Sequence, residues 1–248
     1  MSMDFYVATL FPEQVSAYLN TSITGRGIAK GAISLECIQM RDYAPNNYGR
    51  VDDTIYGGGT GMMIRPEPVF GAYEKAVELC GGVKPHTVFM SPKGSVFDQA
   101  KAHELASYGK LLIICGHYEG IDARVIDEIC DEEISIGDYV LTGGETAAIV
   151  VIDAVARLVP GVLPNEEAYT NESHTDGILE APQYTKPPVW HDRVVPEVLK
   201  NGNDAAIAEY NRIAALVDTW HKRPDMLDKL DISESDWAKM LAFERGMC

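Results

Sequence analysis

Residues 110–161 read KLLIICGHYEGIDARVIDEICDEEISIGDYVLTGGETAAIVVIDAVARLVPG, and the order of elements in this stretch sets the expected fold class. Lys110–Cys115 is a short apolar run ending at Gly116, which predicts a buried strand followed by a turn. Asp122–Cys130 suits a helix, Glu133–Ile136 a second strand, and Glu145–Leu158 a second helix that Pro160-Gly161 stops. Strands separated by helices of this length predict an α/β domain with a mostly parallel sheet.

The alternation continues toward the N-terminus. Met3–Leu10, Ile33–Ile38 and His86–Met90 read as strands, a helix opens at Pro12, and Pro66–Cys80 and Asp98–Tyr108 read as helices closed by Gly81-Gly82 and Gly109. Toward the C-terminus it breaks. Residues 161–177 (GVLPNEEAYTNESHTDG) have no period and carry four acids and no base, the pattern of an exposed linker or lid. Asp204–His221 then places Ile207, Tyr210, Ile213, Ala214, Val217 and Trp220 on a helical stripe, and Ser233 with Asp236 resembles a capping box. The expected organisation is an α/β domain over 1–160, a linker over 161–177 and a small helical domain over 178–248.

Composition narrows the function classes. The chain has 248 residues, 46% hydrophobic and 23% charged, which fits a folded globular protein and excludes disorder or a fibrous rod. Its apolar runs are far shorter than a bilayer requires, and no basic segment followed by an apolar stretch opens it, so no membrane span or secretory signal is expected and a cytoplasmic location is. Five cysteines without CxxC spacing and six scattered histidines predict reduced thiols and no structural zinc. The net charge of −16 opposes nucleic-acid binding on its face. Its distribution reopens the question, because residues 119–180 hold 15 acids against 2 bases whereas 181–224 hold 6 bases against 5 acids.

Three glycine-bearing stretches stand out: YGGGTGM at 56–62, CGHYEGIDARV at 115–125 and SIGDYVLTGGE at 135–145. None matches the dinucleotide pattern GxGxxG or the phosphate-loop pattern GxxxxGK[ST], so an ordinary Rossmann or P-loop site is not expected. The last two follow strands, where glycine lets backbone amides approach a ligand outside the carboxyl ends of an α/β sheet. By residue type alone, Cys115 and His117 could form a nucleophilic pair, or Cys115 could be a small buried hydrophobe at the end of its strand.

VDDTIYGGGTGM (51–62), SPKG (91–94), CGHYEGIDARV (115–125), IGDYVLTGGE (136–145), PGVL (160–163), the ESH and GILEAPQYTKP segments within 172–187, and RPDML (223–227) together resemble, in this order, the bacterial tRNA (guanine-N1)-methyltransferase family, TrmD. The resemblance runs from Phe5 to about Leu230. It implies a SPOUT-type methyltransferase, working as a homodimer, whose α/β domain is threaded into a trefoil knot. S-adenosylmethionine would sit in the knot against Ser91, Pro92, Gly116, Tyr118, Glu119, Ile136, Gly137, Tyr139, Leu141, Gly143 and Gly144. The implied substrate is tRNA with a guanosine just 3′ of the anticodon, with Glu172 as the base at guanine N1 and Arg157 as the cation at O6. Asp52, Gly58, Gly59, Ser173, Lys186, Arg212, Lys222 and Arg223 would contact the tRNA. Magnesium is implied as an assisting ion, although no metal-ligand constellation is visible.

Three departures accompany the match. Glu172 stands where many members carry Asp, His117 where they often carry arginine, and Tyr210-Asn211 where a Trp-Arg pair is frequent. The thinned basic set leaves a second expectation from another class, a binding module for S-adenosylmethionine or a nucleotide that has lost catalysis.

Overall fold

The computed structural model describes residues 2–164 and 172–246. The chain divides into two compact units, Met1–Glu166 and Glu167–Cys248.

The first unit is built on a five-stranded sheet of β1 (Met3–Thr9), β2 (Ile33–Gln39), β5 (His86–Val96), β6 (Lys110–Cys115) and β7 (Glu132–Ser135), in the spatial order β2-β1-β6-β5-β7. Every neighbouring pair in it is parallel. β1 and β6 are buried almost without interruption, the near-continuous apolar pattern of central strands covered on both faces. β2 alternates buried and exposed positions, as an edge strand does.

Helices cover both faces. α1 (Pro12–Leu19), α4 (Gln99–Ser107) and α6 (Glu145–Ala156) pack together on one, and α3 (Pro66–Leu79) and α5 (Ala123–Ile129) on the other. Side-chain alternation divides the core between them. Tyr6, Ala8, Leu112 and Ile114 meet Val69, Ala72, Ala76, Val125, Ile126 and Ile129 on the α3/α5 side. Phe5, Val7, Leu111 and Ile113, buried on the opposite face of the strands, leave the other side to Val151, Ile152 and Val155 of α6.

The boundaries anticipated from glycine, proline and capping residues hold to within a residue or two: Asp98 and Asp122 cap α4 and α5 with their carboxylates, and Pro stands in the first turn of α1 and α3. β5 runs six residues past Met90, and its pairing with β7 shifts register between Met90 and Ser95. The Ser91-Pro92-Lys93-Gly94 segment is thereby thrown out of the ladder at the strand's end. In this unit the helix α2 (Ser22–Ala29) and the antiparallel pair β3 (Asp52–Thr54) with β4 (Met62–Ile64) had no sequence expectation.

The second unit holds α7 (Asp204–Lys222), α8 (Pro224–Leu227) and α9 (Glu234–Glu244), with a small hairpin of β8 (Val189–Trp190) and β9 (Arg193–Val194) ahead of them. Ile213, Leu216, Leu227 and Met240 form its core, joined by Ile178, Trp220 and Phe243. Ser233 accepts a hydrogen bond from the Asp236 N–H, as the capping-box spacing suggested. Of the loop expected over 161–177, residues 165–171 lie outside the described residues.

Candidate functional site

Three segments at the carboxyl ends of β5, β6 and β7 enclose a cavity of about 240 Å³. Phe89–Pro92 come from the register shift of β5, Gly116–Gly120 from the turn after β6, and Ile134–Gly137 with Tyr139–Gly144 from β7 and the loop leading into α6. All eleven residues expected to hold the cofactor line it: Ser91, Pro92, Gly116, Tyr118, Glu119, Ile136, Gly137, Tyr139, Leu141, Gly143 and Gly144. Ile134, Ile136, Leu141 and Ala147 give apolar wall, and the turns bring backbone amides and carbonyls between them.

The turns are stitched together by their backbones. The Gly144 N–H donates to the Gly116 carbonyl at 2.9 Å, and His117 and Gly143 form an isolated antiparallel bridge. Closeness explains both glycines. A Cβ on Gly144 would lie 2.8 Å from Cys115 Cα, and one on Gly143 would enter the His117 ring and sit 2.7 Å from Glu145 Oε2. Neither needs a left-handed backbone. The YGGGTGM stretch reaches the same cavity wall from the other direction, since the Glu119 N–H donates to the Met62 carbonyl and the Ile64 N–H to the Gly120 carbonyl.

Beneath the wall lies a polar network that the sequence did not announce. Glu145, at the first turn of α6, is 1% exposed. Its Oε1 accepts from the Thr9 hydroxyl at 2.5 Å, and its Oε2 lies 2.6 Å from His117 Nε2, which donates to it. The Thr9 oxygen in turn accepts from the Phe11 N–H at 2.9 Å. The carboxylate therefore exchanges water for two directed donors and the positive end of a helix. The one signal available was an acid directly after Gly143-Gly144 in a helical first turn. Cys115 is fully buried, and burial followed by the Glu145 charge pushes its thiol well above its ordinary range, so it is the packed hydrophobe and not a nucleophile.

The remaining expected residues are distributed as follows. Arg157 caps the C-terminus of α6 in the first unit, and Glu172 belongs to the second, its carbonyl accepting from the Thr175 N–H. Asp52 opens β3, and Gly58 and Gly59 lie at positive φ in the turn between β3 and β4. The Ser173 hydroxyl accepts from the Glu180 N–H, and Lys186 is exposed. Arg212, Lys222 and Arg223 each carry an acid of their own: Asp236 at 2.8 Å, Asp218 at 2.7 Å and Asp225 at 2.7 Å. The Asp225 and Asp236 carboxyls are held below the usual carboxylate range chiefly by these guanidiniums.

Among the described residues, no group of three or more His, Cys, Asp or Glu is placed to hold a metal ion. Nor, among them, is any helix long and apolar enough to cross a membrane.

The family model described as tRNA (Guanine-1)-methyltransferase TrmD matches residues 3–229. The tRNA (guanine-N(1)-)-methyltransferase of Alkaliphilus oremlandii is 47% identical over 234 residues, covering 93% of this chain and 94% of the relative. That of Persephonella marina is 42% identical over 246 residues, covering 99% and 96%. Among solved structures, the tRNA (m1G37) methyltransferase of Aquifex aeolicus superposes with a TM-score of 0.74 at 38% identity, covering 95% of this chain and 99% of that one.

Proposed function

The chain belongs to the tRNA (guanine-1)-methyltransferase TrmD family, and on that premise we infer how its residues perform the methylation of guanine N1 in tRNA. It is an S-adenosylmethionine-dependent enzyme. The observation that carries the reading is the convergence of three strand-end segments, far apart in sequence, on one cavity with apolar walls and backbone edges. That chemistry suits an adenosine: Ile136 and Leu141 would wall the base, the amides of the turns would serve its ring nitrogens, and Glu119 would take the ribose hydroxyls.

S-adenosylmethionine, when bound, supplies an electrophilic methyl on a sulfonium. The chain's own groups prepare the guanine. N1 carries a proton and is a weak nucleophile, so Glu172 accepts that proton as the N1–carbon bond forms. Negative charge then develops on O6, and the Arg157 guanidinium stabilises it. The glycine-lined turn at 143–144 holds the methyl donor's side of the reaction against movement, because its backbone is locked to Gly116. The guanosine is the one just 3′ of the anticodon.

The finer architecture follows the same reading. We assign the first 160 residues to methyl transfer, 161–177 to a linker and 178–248 to tRNA binding; Lys186, Arg212, Lys222 and Arg223 of the last segment contact the RNA, joined by Ser173 of the linker and by Asp52, Gly58 and Gly59 of the first. The C-terminal part of the α/β domain is threaded into a trefoil knot, a reading supported by the return of the 136–144 loop from the sheet edge at β7 to the Gly116 turn and by α6 packing against both α1 and α4. The protein works in the cytoplasm as a homodimer. Exposed Phe11, just ahead of α1, with Tyr18 on α1 and Val150 on α6, gives apolar surface for self-association. Magnesium is the ion that the resemblance implies, but no group of His, Cys, Asp or Glu among the described residues is placed to hold it, so no step is assigned to it.

The test is methylation of an unmodified tRNA transcript with labelled S-adenosylmethionine, followed by nucleoside mass spectrometry. 1-Methylguanosine confined to the position 3′ of the anticodon is expected. Cofactor binding without any methylated nucleoside would instead establish the binding module.

A further inference from the structure

Trp190 is 65% exposed, whereas the other two tryptophans, Trp220 and Trp237, pack edge to face on each other with ring centroids 5.7 Å apart. Trp190 ends β8, and directly across the hairpin from it stands Arg193. Residues opposite one another in an antiparallel pair lie on one face, roughly 5 Å apart at Cβ, so the indole and the guanidinium are presented side by side. The two-residue turn between them, His191-Asp192, has positive φ at both positions, and the His191 ring meets the indole edge-on at 4.4 Å.

Charge singles out the same place. Residues 181–203 hold three bases against two acids, whereas 204–248 hold six against nine in a chain of net charge −16. Arg212, Lys222, Arg223 and Lys239 on the helices are each ion-paired within their own unit, so a phosphate must compete with an acid for them. Arg193 makes no ion pair with a described residue, and Lys186 lies exposed just ahead of the hairpin. An exposed indole beside an available guanidinium is the pairing that single-stranded RNA uses, a base on the aromatic face and a phosphate on the cation.

We propose that the 189–194 hairpin is an RNA-docking element, on which an unpaired nucleobase of the tRNA stacks against Trp190 while Arg193 holds an adjoining phosphate. This rests on the tRNA methyltransferase reading and adds a contact that lies outside the methyl-transfer cavity.

The experiment measures binding of fluorescently labelled tRNA transcript to the full-length chain by anisotropy over a salt series, with S-adenosylmethionine binding followed by calorimetry and self-association by light scattering. Trp190→Ala is expected to weaken tRNA binding about ten-fold, Trp190→Phe to restore most of it, and cofactor affinity to stay unchanged in both. Arg193→Ala is expected to lower the slope of log affinity against log salt by about one, and Arg193→Lys to restore it. Equal tRNA affinity in wild type and Trp190→Ala overturns the proposal, and leaves the enzymatic reading intact if the wild type still methylates. Retained tRNA affinity with lost self-association overturns it in favour of a protein interface. A wild-type chain that neither binds nor methylates tRNA overturns both readings.

Discussion

His117 Nε2 lies 2.6 Å from Glu145 Oε2, which ties the turn after β6 to the first turn of α6. The Thr9 hydroxyl holds the other oxygen, so one carboxylate joins the ends of two neighbouring strands to the helix that follows the cavity loop. Because His117, Gly143 and Gly144 all line the cavity, the pair fixes the shape of the wall that meets the cofactor. Glu145→Ala strands a buried hydroxyl and a ring N–H, and is expected to cost about 2 kcal/mol of stability. It should also weaken S-adenosylmethionine binding several-fold, whereas Glu145→Gln, which keeps an acceptor, should lose less of both. Thermal unfolding and calorimetry on the two variants check the order.

Gly143 and Gly144 are expected to fail differently. The obstacle to a Cβ on Gly144 is backbone, with Cys115 Cα at 2.8 Å and Gly116 N at 3.0 Å, so Gly144→Ala should lower the unfolding temperature by several degrees. The obstacle at Gly143 is the His117 ring and the Glu145 carboxylate, which can swing aside. Gly143→Ala should therefore lose less stability than Gly144→Ala while losing cofactor affinity. The loss comes through the broken His117–Glu145 pair, not through a side chain projecting into ligand space. Equal unfolding temperatures for the two variants would contradict this distinction.

Asp131 gives the stability a pH signature. Burial raises its carboxyl, but the Thr87 N–H and the Lys84 ammonium outweigh that and hold it below its ordinary 3.8. An acid depressed in the folded state stabilises above its unfolded value and loses that contribution as pH falls through the folded one. Asp131 pins the start of β5 to the end of α5, at 2.8 Å from Thr87 N and 2.9 Å from Lys84 Nζ. Asp131→Asn is expected to cost about 1 kcal/mol at pH 7. The gap to wild type should close below the ordinary carboxylate range, as denaturant titrations at several pH values would show.

The sequence made the sheet legible because its strands are short apolar or aromatic runs, Leu111–Ile114 the plainest of them, separated by helices that open at a proline or a capping aspartate and close at glycine. The cavity followed from motifs that lie at strand ends. What stayed hidden was long-range. Glu145 is an ordinary helix-first-turn acid until Thr9, 136 residues away, is seen to meet it. The helix α2 escaped notice because its sequence, SITGRGIA, carries two glycines that read as a turn. Gly27 is there for packing, since its missing Cβ would stand 3.1 Å from Val162 and 3.4 Å from Ile33. The Trp190–Arg193 pairing needs the register of a two-residue hairpin, which periodicity over so few residues does not supply.

Glu172 is the residue on which the proposed chemistry turns, and it is the glutamate where many relatives carry aspartate. Glu172→Gln preserves size and hydrogen-bonding capacity but removes basicity, so methyl transfer should slow by roughly 10²–10⁴, with S-adenosylmethionine affinity nearly intact. Glu172→Asp should retain much of the activity, because a shorter carboxylate still accepts the proton. Raising pH should partly rescue the Gln variant, as solvent hydroxide removes the guanine proton that the side chain no longer takes. Arg157→Ala should also slow the reaction, but without that rescue, since its loss removes charge at O6 and not a proton acceptor. Single-turnover rates over a pH series separate the two, because slow product release cannot mask the chemical step there. A Glu172→Gln enzyme that methylates at the wild-type rate would remove Glu172 as the base, and Asp176, four residues on, is then the next carboxylate to substitute.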